Sequence, residues 1–243
     1  MANVCPILLV DDEYIDVSDL EDVINKAGFV AGFQENIAVL CESCEDAIEY
    51  MEQQKEQGHG ISALISDNHI GTSDIDGDDF LRILRGRLPY CFSRFEEDAY
   101  LQARHFRSLN QIEQRVRRKN ENISSFILNS FQDYKDYLNF SDYYFGNPRG
   151  ETPTLMLCGH PQEANLTGLE TTHLVGKDNR QAKDRFCEIE VMDFLTNLGI
   201  FYKETIREAI TYNPRLSNPN LKKQRYNPCS AHTKKMFRDH YNL

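Results

Sequence analysis

The sequence lacks the features that would assign it to a membrane or secreted class. No apolar run in its 243 residues approaches the roughly 18 residues needed to span a bilayer. Its start, M-A-N-V-C-P-I-L-L-V-D-D, has neither the basic residues nor the long apolar stretch of a signal peptide. Its cysteines number seven, and an odd number does not fit a complete disulfide framework. These absences predict a cytoplasmic protein with reduced cysteines and no membrane partner.

Basic side chains are scarce in the first third of the chain. Residues 1–80 carry 19 acidic and 2 basic side chains, whereas residues 81–150 carry 12 basic and 8 acidic ones. A front third this acidic repels the phosphates of nucleic acid, so nucleic acid is not an expected partner. No helix-turn-helix or winged-helix pattern occurs in the last 60 residues. We therefore expect the chain to act through contacts with other proteins.

Short apolar strand patterns alternate with helical patterns in the two end regions of the chain. The strand patterns cover residues 6–10, 37–41, 61–66, 154–158 and 171–176. Helical spacing of apolar residues covers residues 16–27, 44–54, 77–84 and about 180–198 and 200–211. This alternation predicts an α/β fold, a doubly wound five-stranded parallel sheet covered by helices on both faces.

The alternation stops in the middle of the chain. Residues 96–119 and 123–138 show two helical patterns, with a break predicted near Asn120-Glu121-Asn122. We interpret this part as an α-helical hairpin insertion. The expected domains are a sheet domain of residues 1–85 plus 153–200, the insertion 86–152, and a helical and irregular C-terminal extension 201–243.

Acidic residues follow the ends of two predicted strands. P-I-L-L-V runs directly into Asp11 and Asp12, and I-S-A-L-I-S runs into Asp67. The C-terminal ends of parallel strands meet at one edge of the sheet, so these carboxylates are expected in one crevice. Magnesium, a hard cation, would relieve their mutual repulsion. Lys177, after the fifth predicted strand, adds a positive charge, and a carboxylate there can attack a phosphoryl group.

These pieces together resemble the receiver domain of two-component response regulators. The matching segments are I-L-L-V-D-D-E (7–13), L-I-S-D-N-H-I-G (64–71), D-G-D-D-F-L-R-I-L-R (76–85), L-M-L-C-G (155–159) and L-V-G-K (174–177). The resemblance spans residues 5–85 and about 153–200. It implies a flavodoxin-like fold of the receiver type. It also implies a phosphoprotein of a phosphorelay rather than an enzyme, with a sensor histidine kinase or phosphotransfer protein as donor and a downstream protein target.

The resemblance implies a role for each acidic residue. Asp67 matches the phospho-acceptor. Asp12 matches the direct magnesium ligand, and Asp11 matches the second acidic residue, which often acts through water. The main-chain carbonyl of His69, two residues past the acceptor, matches the third protein ligand.

The phosphate-contacting positions both match and depart from the family pattern. Lys177 matches the lysine that pairs with the acceptor and then with the phosphoryl group. Cys158, followed by Gly159, stands where the family has a Thr or Ser whose hydroxyl reports phosphorylation. A thiol is a weak hydrogen-bond donor, so the coupling between phosphorylation and shape is expected to be weaker. Asp178 replaces the usual proline, and the insertion precedes the fourth strand.

Two other functions are consistent with the same residues. A pseudo-receiver would keep the acids and serve as a docking module without phosphorylation. A magnesium-dependent phosphohydrolase is a weaker alternative, because such enzymes place a second acid two residues after the nucleophile, where this chain has His69. The sequence leaves open whether the chain forms a homodimer.

Other conspicuous patterns predict packing rather than chemistry. Cys41-Glu-Ser-Cys44 has the spacing of a redox pair or half a zinc site, but no second C-x-x-C exists, so buried cysteines are favoured. R-V-R-R-K at 115–119 favours a solvated helix end or a pair with the acidic front of the chain. The aromatic run at 134–146 favours packing or a protein contact.

Overall fold

A computed structural model describes residues 5–12, 14–86, 109–146, 151–159, 166, 168–176, 187–211, 235 and 238–240. Five strands lie within these residues: β1 (Ile7–Val10), β2 (Ala38–Cys41), β3 (Ala63–Asp67), β4 (Thr154–Cys158) and β5 (His173–Gly176). They form one parallel sheet in the order β2-β1-β3-β4-β5. This order is consistent with the flavodoxin-like class. The prediction of an α/β fold with a five-stranded parallel sheet is confirmed.

The described helices connect and follow these strands. They are α1 (Tyr14–Val30), α2 (Cys44–Glu56), α3 (Gly77–Leu84), α4 (Leu109–Ser130), α5 (Tyr134–Phe145), α6 (Cys187–Asn197) and α7 (Lys203–Thr211). Ser43 caps α2, because its Oγ accepts a hydrogen bond from the main-chain N–H of Asp46 at 3.0 Å. Among the described helices, none combines the length and the apolar character that crossing a membrane requires.

The apolar core is divided between the two faces of the sheet. Alternate strand residues point to opposite faces, so Ile7 and Leu9 belong to one cluster and Leu8 and Val10 to the other. Helices α1, α6 and α7 cover the first face, and α2, α3, α4 and α5 cover the second. The sheet is therefore doubly wound. The helices cover its two faces, and loops lie at its C-terminal edge.

Helices α4 and α5, called the helical hairpin below, pack over α2 and α3. Phe126 of α4 meets Phe80 of α3 edge to face, with ring centroids 6.5 Å apart. From α5, the buried Tyr137 hydroxyl donates to the carbonyl of Ile83 at 2.7 Å. The Tyr144 hydroxyl donates to the carbonyl of Met51 in α2. The buried members of the aromatic run at 134–146 thus serve packing, one of the two roles that the sequence predicts for it.

The break between the two hairpin helices lies at residues 131–133, later in the chain than the sequence predicts. Residues 120–122 lie inside α4, which continues to Ser130, so the predicted break there is wrong. Ile123 and Phe126 are buried and hold the helix against the core beyond this polar triplet. The chain turns at 131–133, and Asp133 caps α5 by accepting a hydrogen bond from the N–H of Asp136 at 2.8 Å. Residues 96–108 lie outside the described part.

Arg85 joins the chain on either side of the helical hairpin. It follows α3, and its Nε lies 2.6 Å from a carboxylate oxygen of Glu151, just before β4. Its Nη1 donates to the hydroxyl of Thr172 at 2.8 Å, and its Nη2 donates to that of Thr154 at 2.6 Å. The arginine side chain is almost wholly buried. Arg85 therefore ties the end of α3 to β4 and to the segments before β4 and β5.

Candidate functional site

Three carboxylates meet at the C-terminal edge of the sheet. Strands β1 and β3 are parallel neighbours, with Val10 beside Ser66, so the residues after β1 lie next to the end of β3. One oxygen from each of Asp11, Asp12 and Asp67 lies within 4.8 Å of the other two. The structure thus brings together the three acids that the sequence predicts.

The three acids differ in their surroundings. Asp11 is 1% exposed and Asp67 is 6% exposed, whereas Asp12 is partly exposed. The Asp67 Oδ1 accepts a hydrogen bond from the N–H of Asn68 at 2.7 Å, and the Asp12 Oδ2 accepts one from the N–H of Gly71 at 2.9 Å. These bonds fix the direction in which each carboxylate points. Asp12 is therefore the most solvent-accessible of the three acids.

This donor set fits a magnesium ion. It consists of carboxylate oxygens close enough to share one cation, and Mg²⁺ prefers oxygen ligands and binds through one or two carboxylates plus water. Ionised carboxylates at this separation repel each other, and a divalent cation between them removes that repulsion. The group has no nitrogen or sulfur ligand among its three members, so nothing in it favours zinc or copper.

Gly77 shapes the main chain behind Asp67. A Cβ atom at position 77 would lie 1.8 Å from the carbonyl oxygen of Asp67, closer than any real contact. The N–H of Gly77 donates to the carbonyl of Asn68 at 2.9 Å, which ties the first residue of α3 to the strand end. Sequence reasoning treated the D-G-D-D segment as part of a family pattern. The structure adds that only glycine allows α3 to start this close to the acid.

The loop between β3 and α3, residues 68–76, is held to the neighbouring loop after β2. The Thr72 hydroxyl donates to the carbonyl of Glu42 at 2.5 Å. The Ser73 hydroxyl donates to a carboxylate oxygen of Glu45 at 2.8 Å and accepts from the N–H of Cys44 at 2.9 Å. The His69 side chain is 85% exposed and lies 3.3 Å from Asp76. The predicted contribution of His69 is its main-chain carbonyl, which stays a prediction.

The other predicted positions lie on β4 and β5. Cys158 ends β4 and is buried, and its neighbour Leu157 pairs with Asp67 across the sheet. Gly159 is exposed, with open space where a Cβ would be. Cys158 pairs with Gly176, the last residue of β5. Lys177, which follows, lies outside the described residues, and so does Asp178.

A second acidic group, missed by sequence reasoning, lies at the start of α3. Asp76, Asp78 and Asp79 also have oxygens within 4.8 Å of one another. Arg82 forms ion pairs with two of them, since its Nη1 lies 2.6 Å from an oxygen of Asp78 and 2.9 Å from an oxygen of Asp79. Lys119 of α4 lies 2.7 Å from the other oxygen of Asp79. The group is therefore an ion-pair network, and only its local part, Asp78 and Arg82 four residues apart, carried a sequence signal.

Burial and neighbouring charges together set the ionisation of this network. Burial, and then the charge of Asp78, raise the pKa of Asp79, whereas Lys119 and Arg82 act to lower it. Burial lowers the pKa of Lys119, but the surrounding carboxylates outweigh it and the pKa ends above its ordinary value. The lysine is therefore charged at neutral pH. The sequence allowed either a solvated helix end or a pair with the acidic front of the chain for residues 115–119, and Lys119 makes such a pair whereas Arg118 is exposed.

The cysteine pair of the C-x-x-C segment is buried. Burial raises the pKa of the Cys41 thiol to about 12 and also raises that of Cys44. Both are free thiols. A redox pair needs a lowered thiol pKa, so the structure agrees with the interpretation of these residues as core cysteines.

Comparisons with known proteins leave the site to be interpreted from its own residues. Searches against protein-family models, curated proteins and solved structures each found no match to this chain. The resemblance to receiver domains therefore stays a prediction. The geometry of the three acids carries the functional argument.

Proposed function

We propose that this chain is an atypical stand-alone response regulator that accepts a phosphoryl group on Asp67 with Mg²⁺ as cofactor. The observation that carries the proposal is the convergence of Asp11, Asp12 and Asp67 at the C-terminal edge of a parallel sheet. Ligands of open parallel sheets gather at this edge. Because Asp11 and Asp67 are buried, their charges are poorly solvated, and a bound cation stabilises them more than it would stabilise solvated acids.

Asp11, Asp12 and Asp67 would hold the cation, together with the main-chain carbonyl of His69. When bound, the cation neutralises charge on the oxygens of a transferring phosphoryl group. A carboxylate oxygen of Asp67 attacks the phosphorus of the donor, and the bond from phosphorus to the donor nitrogen or oxygen breaks. The leaving group keeps the electron pair. Lys177 is expected to pair with the new phosphoryl oxygens.

The proposed partners are a sensor histidine kinase or phosphotransfer protein and a downstream protein target. The exposed apolar side chains of the helical hairpin, Leu128, Tyr134 and Leu138, support output by protein contact. Cys158 replaces the hydroxyl expected beside the acceptor, so the shape change after phosphorylation should be smaller than in a typical receiver.

The test is intact mass after incubation with acetyl phosphate and MgCl₂. We expect wild type to gain one phosphoryl group, roughly 80 Da, as in an aspartyl-phosphate intermediate. Asp67→Asn should gain nothing. Asp142→Asn, which changes an exposed aspartate of α5, is the matched control and should behave like wild type. A gain in Asp67→Asn, or none in folded wild type, would contradict the proposal.

A pseudo-receiver that docks proteins without phosphorylation is the second candidate. The buried thiol of Cys158 at the position of the expected hydroxyl favours it. Magnesium binding without any mass gain would support this candidate. The phosphohydrolase alternative has less support, because the residue two after Asp67 is His69, whose side chain is exposed and lies beside Asp76 rather than in the site.

A further inference from the structure

Helix α4 contacts the loop of residues 68–76 and the start of α3 through two polar side chains. The Asn122 Nδ2 donates to the main-chain carbonyl of Asp74 at 3.3 Å. The Lys119 Nζ lies 2.7 Å from an oxygen of Asp79. Lys119 and Asn122 are three residues apart and therefore lie on the same face of α4.

A cavity of about 380 Å³ lies between this face of α4 and the loop. Of the described residues that line it, Lys119 and Asn122 come from α4, and His69 and Gly71 come from the loop beside the acids. Ile70 and Ile75 of the loop also line the cavity, and both are buried in the apolar core. The cavity itself contributes no packing, so Lys119 and Asn122 add polar contacts across it to this apolar burial.

The same loop is connected to the carboxylates at two points. Within the loop, the N–H of Gly71 donates to Asp12. At its far end, Gly77 donates to the carbonyl of Asn68 and lies against the carbonyl of Asp67. A displacement of the loop or of the first turn of α3 would therefore move Asp12 and Asp67 relative to each other.

We propose that Lys119 and Asn122 are positioning residues for the acid site. They hold the loop and the first turn of α3 where Asp12, Asp67 and the carbonyl of His69 converge on one divalent cation. Helix α4 thereby sets the affinity of the site for the cation. This inference rests on the proposed function, because it takes the three acids as a cation site.

The charge of Lys119 is the stronger of the two contacts. Asp78 and Asp79 are both buried at the start of α3, and Arg82 and Lys119 together balance them. Without Lys119, two buried carboxylates would share one guanidinium. The first turn of α3 would then have to shift or take up a proton, and Gly77 would pass the shift to Asp67.

The test is cation affinity in the full chain, measured with Mn²⁺ by electron paramagnetic resonance and with Mg²⁺ by calorimetry. Lys119→Met and Asn122→Ala should each weaken binding by roughly tenfold, as loss of residues that support metal ligands does. Lys119→Arg keeps the charge and should restore binding to within about twofold of wild type. Arg118→Met removes an adjacent exposed charge from the same helix and should leave the affinity unchanged.

The outcomes separate this inference from the proposed function. Binding in wild type that is unchanged in Lys119→Met and in Asn122→Ala would overturn the inference alone. No binding in folded wild type would overturn the proposed function and the inference with it. If Lys119→Met does not fold, Asn122→Ala decides the question, because its side chain is exposed and its removal leaves the core intact.

Discussion

At the start of α3, Gly77 lies against the main chain of Asp67, and the space there admits no side chain. We expect Gly77→Ala to lower the free energy of unfolding by about 2 kcal/mol or more, because its Cβ would meet a backbone atom that cannot rotate away. Gly159→Ala is the matched control at the same edge of the sheet. Its Cβ would meet open space, so its stability should stay within about 0.5 kcal/mol of wild type. Urea denaturation measures both, and equal losses would contradict the argument.

The ion pair between Lys119 and Asp79 predicts a pH-dependent stability difference. Asp79 faces Asp78 and Arg82 of its own helix, Lys119 of α4 and the nearby Asp76. In Lys119→Met the pKa of Asp79 should rise further, since a cation that lowers it is gone. A carboxyl whose folded-state pKa exceeds its unfolded value costs stability once the pH exceeds the unfolded value.

The variant should therefore resemble wild type most at about pH 4 and lose stability relative to it toward neutral pH. We expect a deficit of about 1–3 kcal/mol at pH 7.5, typical of a buried group that loses its partner. Denaturation by urea at both pH values tests this. Arg118→Met, which removes an exposed charge, should show the same small difference at each pH. A deficit for Lys119→Met that shrinks as the pH rises would contradict the sign.

The positions of individual site residues were predictable where the pattern that indicates them lies in the neighbouring sequence. The run of apolar residues into Asp11 and Asp12, and a second run into Asp67, was enough to place three acids at one sheet edge. The contact of Lys119 with Asp79 joins residues 40 apart in the chain. The basic segment 115–119 suggested a pair with the acidic front of the chain, but no local signal identified Asp79 as the partner. The clash that makes Gly77 necessary is likewise a property of the folded backbone.

At the scale of elements, two apolar side chains of α4, the buried Phe126 and the exposed Leu128, test whether the helix packs on the core. Phe126 is 3% exposed and packs on Phe80, whereas Leu128 is 74% exposed. Phe126→Ala should cost about 3–5 kcal/mol of unfolding free energy, because it empties a packed site. Leu128→Ala should change it by less than about 0.5 kcal/mol. A small effect of Phe126→Ala would mean that the hairpin is an appendage rather than part of the core.

The strands were the most predictable elements, and the helical hairpin was the least. Most of the strands are short apolar runs, and all five fall within two residues of the predicted bounds at either end. The sequence N-E-N at 120–122 suggests a helix end by its polarity. In the fold, Ile123 and Phe126 follow on the buried face and continue the helix, so tertiary packing overrides the local signal.

At the scale of the whole molecule, Arg85 links the end of α3 to β4, to the segment before β4 and to the turn before β5. We expect Arg85→Met to lower the unfolding free energy by about 1–3 kcal/mol, because the hydroxyls of Thr154 and Thr172 lose a buried charged donor. Glu151→Gln should cost less, since that carboxylate is 31% exposed and water can replace the arginine. Chemical denaturation orders the two variants. The reverse order would contradict the role of Arg85.

The pairing of β3 with β4 has a consequence for the order in which the chain folds. Leu64 and Thr154 are register partners although 90 residues separate them, whereas β1, β2 and β3 come from the first 67 residues. Contacts between distant residues carry a larger loop-closure entropy and tend to form late. We infer that β1, β2 and β3 pair first and that β4 docks afterwards. Pulse-labelled hydrogen exchange should then show the β4 amides protected after those of β1. Simultaneous protection of β1 and β4 would contradict this order.

On this route Asp11, Asp12 and Asp67 come together before β4 brings Cys158 to the same edge of the sheet. A cation bound by these acids would therefore already stabilise the folding intermediate.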